Sequence, residues 1–196
     1  MDWLASVAER DGRRIMCRLV KGAYWDTEIK LAQEQGLDGY PVFTRKVNTD
    51  VSYMACARKL LADRKHFYAQ MATHNAHTLA YVREVAGHDD FEFQRLHGMG
   101  EALYAQAMAG AHAMAPACRI YAPVGAYEDL LAYLVRRLLE NGANTSFVNR
   151  IVDEAEPVEH IVADPVAAAQ ANDPAWHPRI VLPALLYGER RRNALG

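Results

Sequence analysis

The sequence is short of cysteine, of charge of one sign and of long apolar runs, and each shortage removes a class of protein. Three cysteines stand among 196 residues, Cys17, Cys56 and Cys118. They lie far apart in apolar surroundings with no CxxC pair, which argues against a disulfide scaffold or zinc ribbon and fits reduced thiols in a cytosolic protein. Formal net charge is −2, and the basic clusters (Arg13-Arg14, Arg136-Arg137, Arg190-Arg191-Arg192) are short. No nucleic-acid surface is therefore indicated. No apolar stretch reaches the roughly 18–20 residues that span a bilayer. The opening Met1-Asp2-Trp3-Leu4-Ala5 lacks the basic-then-apolar order of a signal peptide, although a peripheral membrane contact stays open. No serine–histidine–acid or cysteine–histidine signature occurs.

What is present is the make-up of a well-cored globular protein, 51% hydrophobic and 23% charged. Four apolar runs, 15–20, 67–72, 91–96 and 118–124, read as parallel strands covered on both faces. Each is followed by a turn and a helical pattern. Asp26 is expected to cap a helix through about Gln35, stopped by Gly36. A second helix is expected from Thr49 or Asp50 to Asp63. Asn75 is expected to cap a helix from Ala76 to Ala86 that ends at Gly87. A further helix follows Gly98-Met99-Gly100, and the last runs from about Tyr127 to Asn141, closed by Gly142. The alternation predicts an α/β fold with a parallel sheet. Four strand–helix units are half of the eight that build a (β/α)8 barrel of about 250 residues. A complete doubly wound sheet is the structural alternative, but no GxGxxG follows any of the four runs. From about Asp153, prolines and small residues predict an extended linker over 151–196, with one short helix near 166–171.

In a parallel barrel, function gathers at the C-terminal ends of strands. Those positions hold Arg18 to Trp25, Thr73-His74-Asn75, Gln94 to His97 and Tyr121. They are rich in donors and cations, so a phosphate- or carboxylate-bearing ligand is the natural partner. Lys21-Gly22-Ala23-Tyr24-Trp25 fits two readings: a turn whose small residues admit a phosphate while Trp25 stacks on a ring, or an ordinary βα turn with a surface lysine. His74 and His77 are spaced for one helical face, yet no acid or thiol completes a metal site, and capping is the commoner role; no metal is expected. In the last helix Tyr127, Leu130, Leu131, Leu134, Val135 and Leu138 form an apolar stripe. Arg137 falls at its edge, and Arg136 lies opposite, within reach of Glu140. The pair is either a solvated face with an ion pair or a bidentate grip on a carboxylate. Arg18, a charge inside an apolar strand, requires an acid or a bound polar group as partner.

Five blocks carry a family resemblance. They are Arg18-Leu-Val-Lys-Gly-Ala-Tyr-Trp-Asp26, Ala72-Thr-His-Asn-Ala-His77, Phe93-Gln-Arg-Leu-His-Gly-Met-Gly100, Cys118-Arg-Ile-Tyr-Ala-Pro-Val-Gly125, and 133–150, which opens with Tyr133-Leu-Val-Arg-Arg137. In order and spacing they resemble the proline dehydrogenase family, most closely the flavin domains of bifunctional proline utilisation A proteins, over about residues 10–150. The tail, with Asp164-Pro165 and Leu182-Pro183, resembles the connector to the aldehyde dehydrogenase domain of those proteins. The resemblance implies a distorted (β/α)8 barrel holding FAD, of which this chain supplies the fifth to eighth strands. It implies that Arg18, Val20, Lys21, Gly22, Ala23, Tyr24 and Trp25 line FAD. Thr44, Thr73, His74, Asn75, Gln94 and Leu96 would add cofactor or active-site contacts. Tyr121, Arg136 and Arg137 would hold L-proline, and Glu140 would support the site. The implied reaction is FAD-dependent oxidation of L-proline to 1-pyrroline-5-carboxylate, with electrons passed to a membrane quinone. The implied location is cytoplasmic, peripheral on the inner membrane. The first four strands, with further flavin contacts, would have to come from elsewhere, and self-association would cover the open edges of a half barrel. The alternative is a non-catalytic half-barrel remnant, or a self-associating protein without flavin.

Overall fold

A computed structural model describes residues 1–22, 24–109, 116–142 and 157–186, with the side chains of 138–142 excepted. Helix α1 spans Asp2–Asp11, followed by β1 Ile15–Leu19, α2 Trp25–Gln35 and α3 Lys46–Ala62. Then come β2 Phe67–Ala72, α4 Ala76–Ala86 and β3 Phe91–Leu96. The series closes with α5 Glu101–Ala109, β4 Ala117–Tyr121 and α6 Tyr127–Gly142. The four strands form one parallel sheet in the order β1-β2-β3-β4. Neighbours in space are neighbours in sequence, as successive βα units require.

The chain divides into two compact units. One comprises Met1–Lys21 and Tyr53–Ala163, the other Gly22–Ser52 and Asp164–Gly196. The core of the first unit lies on one face of the sheet. There Phe67, Ala69, Met71, Phe91 and Phe93 meet Tyr53, Ala57, Leu60 and Leu61 of α3, Leu79 and Val82 of α4, and Tyr104 of α5. The rings of Phe91 and Phe93 meet edge-on at 5.2 Å, and those of Phe93 and Tyr104 at 6.0 Å. The register pairs Arg18 with Gln70, Gln70 with Glu92, and Gln94 with Arg119. All of these project from the opposite face. The strands were expected to be apolar on both sides. Instead one face is packed by helices and the other carries a polar ladder.

Several expected boundaries move for local reasons. Val20 lies beyond β1, and β4 stops at Tyr121, before Pro123, which has no N–H to give the ladder. Helix α3 begins at Lys46, ahead of the expected Thr49. The Asn48 amide donates to the Ala175 carbonyl (2.9 Å) instead of competing for its own backbone, and Lys46 pairs with Asp50 at 3.0 Å. In α2 the cap position is Tyr24, and Asp26 sits inside the first turn, where the helix dipole favours an acid. Asn75 caps α4 as expected, its Oδ1 accepting from the Thr78 N–H at 3.1 Å, and Gly87 stops the helix in the left-handed region at φ 62°. The tail carries the expected short helix at Pro165–Gln170, together with a helical turn Val158–Ile161 and a 3-10 turn Pro183–Leu185. The expected division at 150/151 lies outside the described residues.

At the N-terminal end of the sheet, Arg14 ties three strands' entries together. It donates from Nε to the Phe67 carbonyl (2.9 Å) and from both terminal nitrogens to the Asp90 carboxylate (3.0 and 2.7 Å). All three cysteines are free and part-buried. Among the described residues no helix is long and apolar enough to cross a membrane.

Two substitutions separate core from cap. Phe93→Ala is expected to lower unfolding free energy by about 3–5 kcal/mol, and Asn75→Ala by about 1 kcal/mol, with Asn75→Ser close to wild type. Urea denaturation followed by circular dichroism measures both. Equal losses would contradict the assignment of Phe93 to the packed core.

Candidate active site

The polar face of the sheet is organised around Glu92. Its carboxylate is 2% exposed and accepts from five side-chain donors. Arg119 gives two hydrogen bonds, Nε to Oε1 and Nη2 to Oε2, both at 2.8 Å. Gln70 Nε2 and Gln94 Nε2 donate to Oε1 at 2.8 and 2.7 Å, and the Tyr68 hydroxyl reaches Oε2 at 3.5 Å. Hydrogen bonds from Arg119, opposed by burial and joined by those from Gln94 and Gln70, hold the Glu92 carboxyl down at about 2. Because the Gln94 NH2 is committed to Glu92, its carbonyl oxygen must point the other way. There it accepts from Arg18 Nε at 2.8 Å. The Arg18 guanidinium also stacks 5.1 Å from the centre of the Tyr121 ring. A chain of contacts thus runs from a mid-strand acid to an arginine at the strand's C-terminal end.

Sequence reasoning placed Arg18 as a buried charge that needs an acid or a bound polar group as partner. It is exposed in this chain, and its partners are an amide and an aromatic ring. Sequence reasoning also missed Glu92, Gln70, Arg119 and Tyr68. The signal was available: Phe91-Glu92-Phe93-Gln94 and Cys118-Arg119-Ile120-Tyr121 alternate with period two, which puts the polar members on one face.

The other strand-end residues gather around this axis. Lys21 donates from Nζ to Thr78 Oγ1 at 3.0 Å and lies 5.2 Å over the Tyr53 ring. Thr73 accepts from the Asn75 N–H on its hydroxyl (3.1 Å), and its carbonyl accepts from the Tyr104 hydroxyl at 2.8 Å. His74 Nε2 accepts from the Leu96 N–H at 3.1 Å, so the neutral ring carries its proton on Nδ1. Burial, then the charges of Arg95 and Arg137, push the His74 pKa below the ordinary imidazole value, which keeps it neutral. Gly100, at φ 67°, lets the chain pass close by; a Cβ there would stand 3.1 Å from His74 Cδ2. On α6 the half-buried face is Leu130, Tyr133 and Arg137, while Tyr127, Leu131, Leu134 and Val135 of the expected stripe are exposed. Arg137 lies 5.4 Å over the Tyr133 ring, and Tyr133 shares a hydrogen bond with Tyr121. Arg136 is on the exposed side. The Glu140 side chain and Ala23 lie outside the described residues.

The second unit holds the remaining members. Gly22 has open space where a side chain would project. Tyr24 is half exposed at the helix cap, and Trp25 donates its indole N–H to the Phe43 carbonyl at 2.8 Å. Thr44 Oγ1 accepts from the His177 N–H at 3.0 Å. The first unit offers Arg18, Lys21, Arg137 of α6, a neutral histidine and two tyrosines, and its buried acid Glu92 is already matched by Arg119. That donor set fits a ligand with acceptor oxygens or negative charge. Among the described residues no three His, Cys, Asp or Glu side chains converge on one point.

A sequence model of proline dehydrogenase matches residues 1–150. The chain belongs to the proline dehydrogenase family, whose members are oxidoreductases and typically flavin-dependent. It is similar to the bifunctional protein PutA of Klebsiella aerogenes, 59% identical over an alignment 209 residues long that covers 100% of this chain and 16% of the relative. It is also similar to a proline dehydrogenase of Deinococcus radiodurans, 31% identical over 150 residues, covering 74% and 42%. Among solved structures, a mutant of Bradyrhizobium japonicum PutA superposes with a TM-score of 0.88 at 58% identity, over 95% of this chain and 19% of that one. PutA from Bdellovibrio bacteriovorus, inactivated by N-propargylglycine, gives 0.76 at 35% identity, over 85% and 17%. The four strands match part of the proline dehydrogenase barrel of PutA. This chain spans about a sixth of the PutA relatives' length.

Glu92→Gln is expected to cost about 2 kcal/mol in urea, since it sets buried amide donors against each other, while Arg119, itself exposed, turns to solvent. The Glu92 carboxyl titrates lower folded than unfolded. Its contribution is therefore complete above the ordinary carboxyl range and is lost as pH falls toward about 2. The difference between wild-type and Glu92→Gln stability should shrink across that window; a constant difference would contradict the network.

Proposed function

We propose that this chain is the C-terminal half of a flavin-dependent proline dehydrogenase barrel and takes part in oxidising L-proline to 1-pyrroline-5-carboxylate. FAD is the cofactor and a membrane quinone the electron acceptor, in a cytoplasmic protein peripheral on the inner membrane. Activity requires the first four strands. Residues 1–150 form the barrel half, and 151–196 lead toward an aldehyde dehydrogenase domain. The observation that carries this reading is the Glu92–Gln94–Arg18–Tyr121 chain at the strand C-termini, in a chain of this family.

The bound flavin supplies the acceptor for the hydride leaving the proline ring. The chain's residues bind and orient. Arg136 and Arg137 grip the proline carboxylate, which two guanidinia can hold through paired hydrogen bonds and lysine cannot. Tyr121 packs beside the substrate, with Glu140 in support. Arg18, its Nε held by Gln94, would help to hold the flavin through its terminal nitrogens. Val20, Lys21, Gly22, Ala23, Tyr24, Trp25, Thr44, Thr73, His74, Asn75 and Leu96 complete the cofactor contacts. Neutral His74 adds no charge near the arginines.

The exposed apolar side of α6, with Tyr127 74% exposed, supports a covering partner. The missing barrel half is the partner favoured here. A second copy of the chain is the other reading, and light scattering on the purified chain separates them: a monomer excludes the second copy.

Co-expression with the N-terminal half of a related barrel should yield a yellow complex that oxidises proline. Arg136→Lys and Arg137→Lys should each lower kcat/KM for proline about 100-fold, mostly through KM. A complex without flavin or proline oxidation would sink the proposal.

A further inference from the structure

Within the second unit, a short stretch of the tail is bonded residue by residue to the loop that carries Thr44. The Ala175 carbonyl accepts from Asn48 Nδ2 at 2.9 Å, and the Trp176 carbonyl from Arg45 Nε at 3.0 Å. The His177 N–H donates to Thr44 Oγ1 at 3.0 Å. Further on, the Val181 carbonyl accepts from the Tyr40 hydroxyl at 2.6 Å, and that hydroxyl accepts from Gln33 of α2 at 3.1 Å. On its other side the same loop presents the Phe43 carbonyl to the Trp25 indole N–H at 2.8 Å.

We propose that residues 175–181 are a positioning clamp for segment 40–48, the loop before α3 and that helix's first turn, and through it for Thr44 and Trp25, so that this part of the tail belongs to the cofactor site. The inference rests on the reading of Trp25 and Thr44 as cofactor contacts. Residues 37–45 lie outside regular helix or strand, so their order has to be supplied by contacts from outside the loop. Three consecutive tail residues supply such contacts as hydrogen bonds.

The clamp also settles what each side chain offers a ligand. With one lone pair taken by the His177 N–H, the Thr44 hydroxyl keeps its own proton to donate, which suits an acceptor oxygen or ring nitrogen of a dinucleotide. The indole N–H of Trp25 is spent on Phe43, and indole nitrogen accepts nothing. Trp25 therefore offers its ring face, not a hydrogen bond.

The test uses the whole chain and needs no flavin. Trp3→Phe and Trp176→Phe leave Trp25 as the single tryptophan. In that background Arg45→Ala/Asn48→Ala should red-shift Trp25 emission and raise its quenching by acrylamide about twofold. By amide exchange, Thr44→Val should lower protection at His177 about tenfold, with Thr44→Ser restoring it and the β2 and β3 amides unchanged. Unchanged emission and unchanged His177 protection would overturn the clamp, as would failure of Thr44→Ser to restore protection. If the clamp variants behave as expected but FAD affinity in the assembled barrel is indifferent to them, the fault lies in assigning Trp25 and Thr44 to the cofactor.

Discussion

A carboxylate buried in the middle of a strand survives only if its oxygens are fully matched, and Glu92 meets that condition through Arg119, Gln70, Gln94 and Tyr68. Nearly everything on the polar face follows from it. The two glutamines have fixed amide orientations because their NH2 groups face one acceptor. The Gln94 carbonyl therefore faces Arg18, and Arg18 is held in a defined place above Tyr121. Removing the acid would free both amides to flip and loosen the arginine without touching it. Precision at the strand ends is thus set two residues below, inside a rigid sheet.

The two faces of the sheet divide the work. The helix-covered face supplies stability through aromatic packing around Phe93. The opposite face gives up apolar burial in exchange for an ordered set of donors. The site members in the second unit are fixed differently, by hydrogen bonds from a tail segment to an irregular loop. The candidate residues of the first unit therefore stand on or beside strands, and those of the second on a loop that has to be held.

The sequence made the strands, the parallel order and most helices readable, because βα units keep local signals: Asn75 and Gly87 bracket α4, and Gly36 ends α2 at φ 62°. Boundaries failed where tertiary contacts overrode propensity, as at α3, whose first turn is steadied by a carbonyl 127 residues away. Family motifs named most of the candidate residues, and of these Arg18, Gln94, His74, Leu96, Tyr121 and Arg137 fall in the first unit. Glu92 and Arg119 were overlooked because strand-end positions drew attention away from mid-strand ones. The tail's hold on Thr44 runs through backbone groups of Ala175, Trp176 and His177, which carry no side-chain signature at all.

The most direct measurement is an NMR titration of the Glu92 carboxyl carbon in the whole chain. Glu92 is expected to stay ionised through the ordinary carboxylate range, with its midpoint drawn down toward about 2. A midpoint near the ordinary glutamate value of about 4.3 would mean that its donors are not engaged, and the network that orients Gln94 and Arg18 would fall with it.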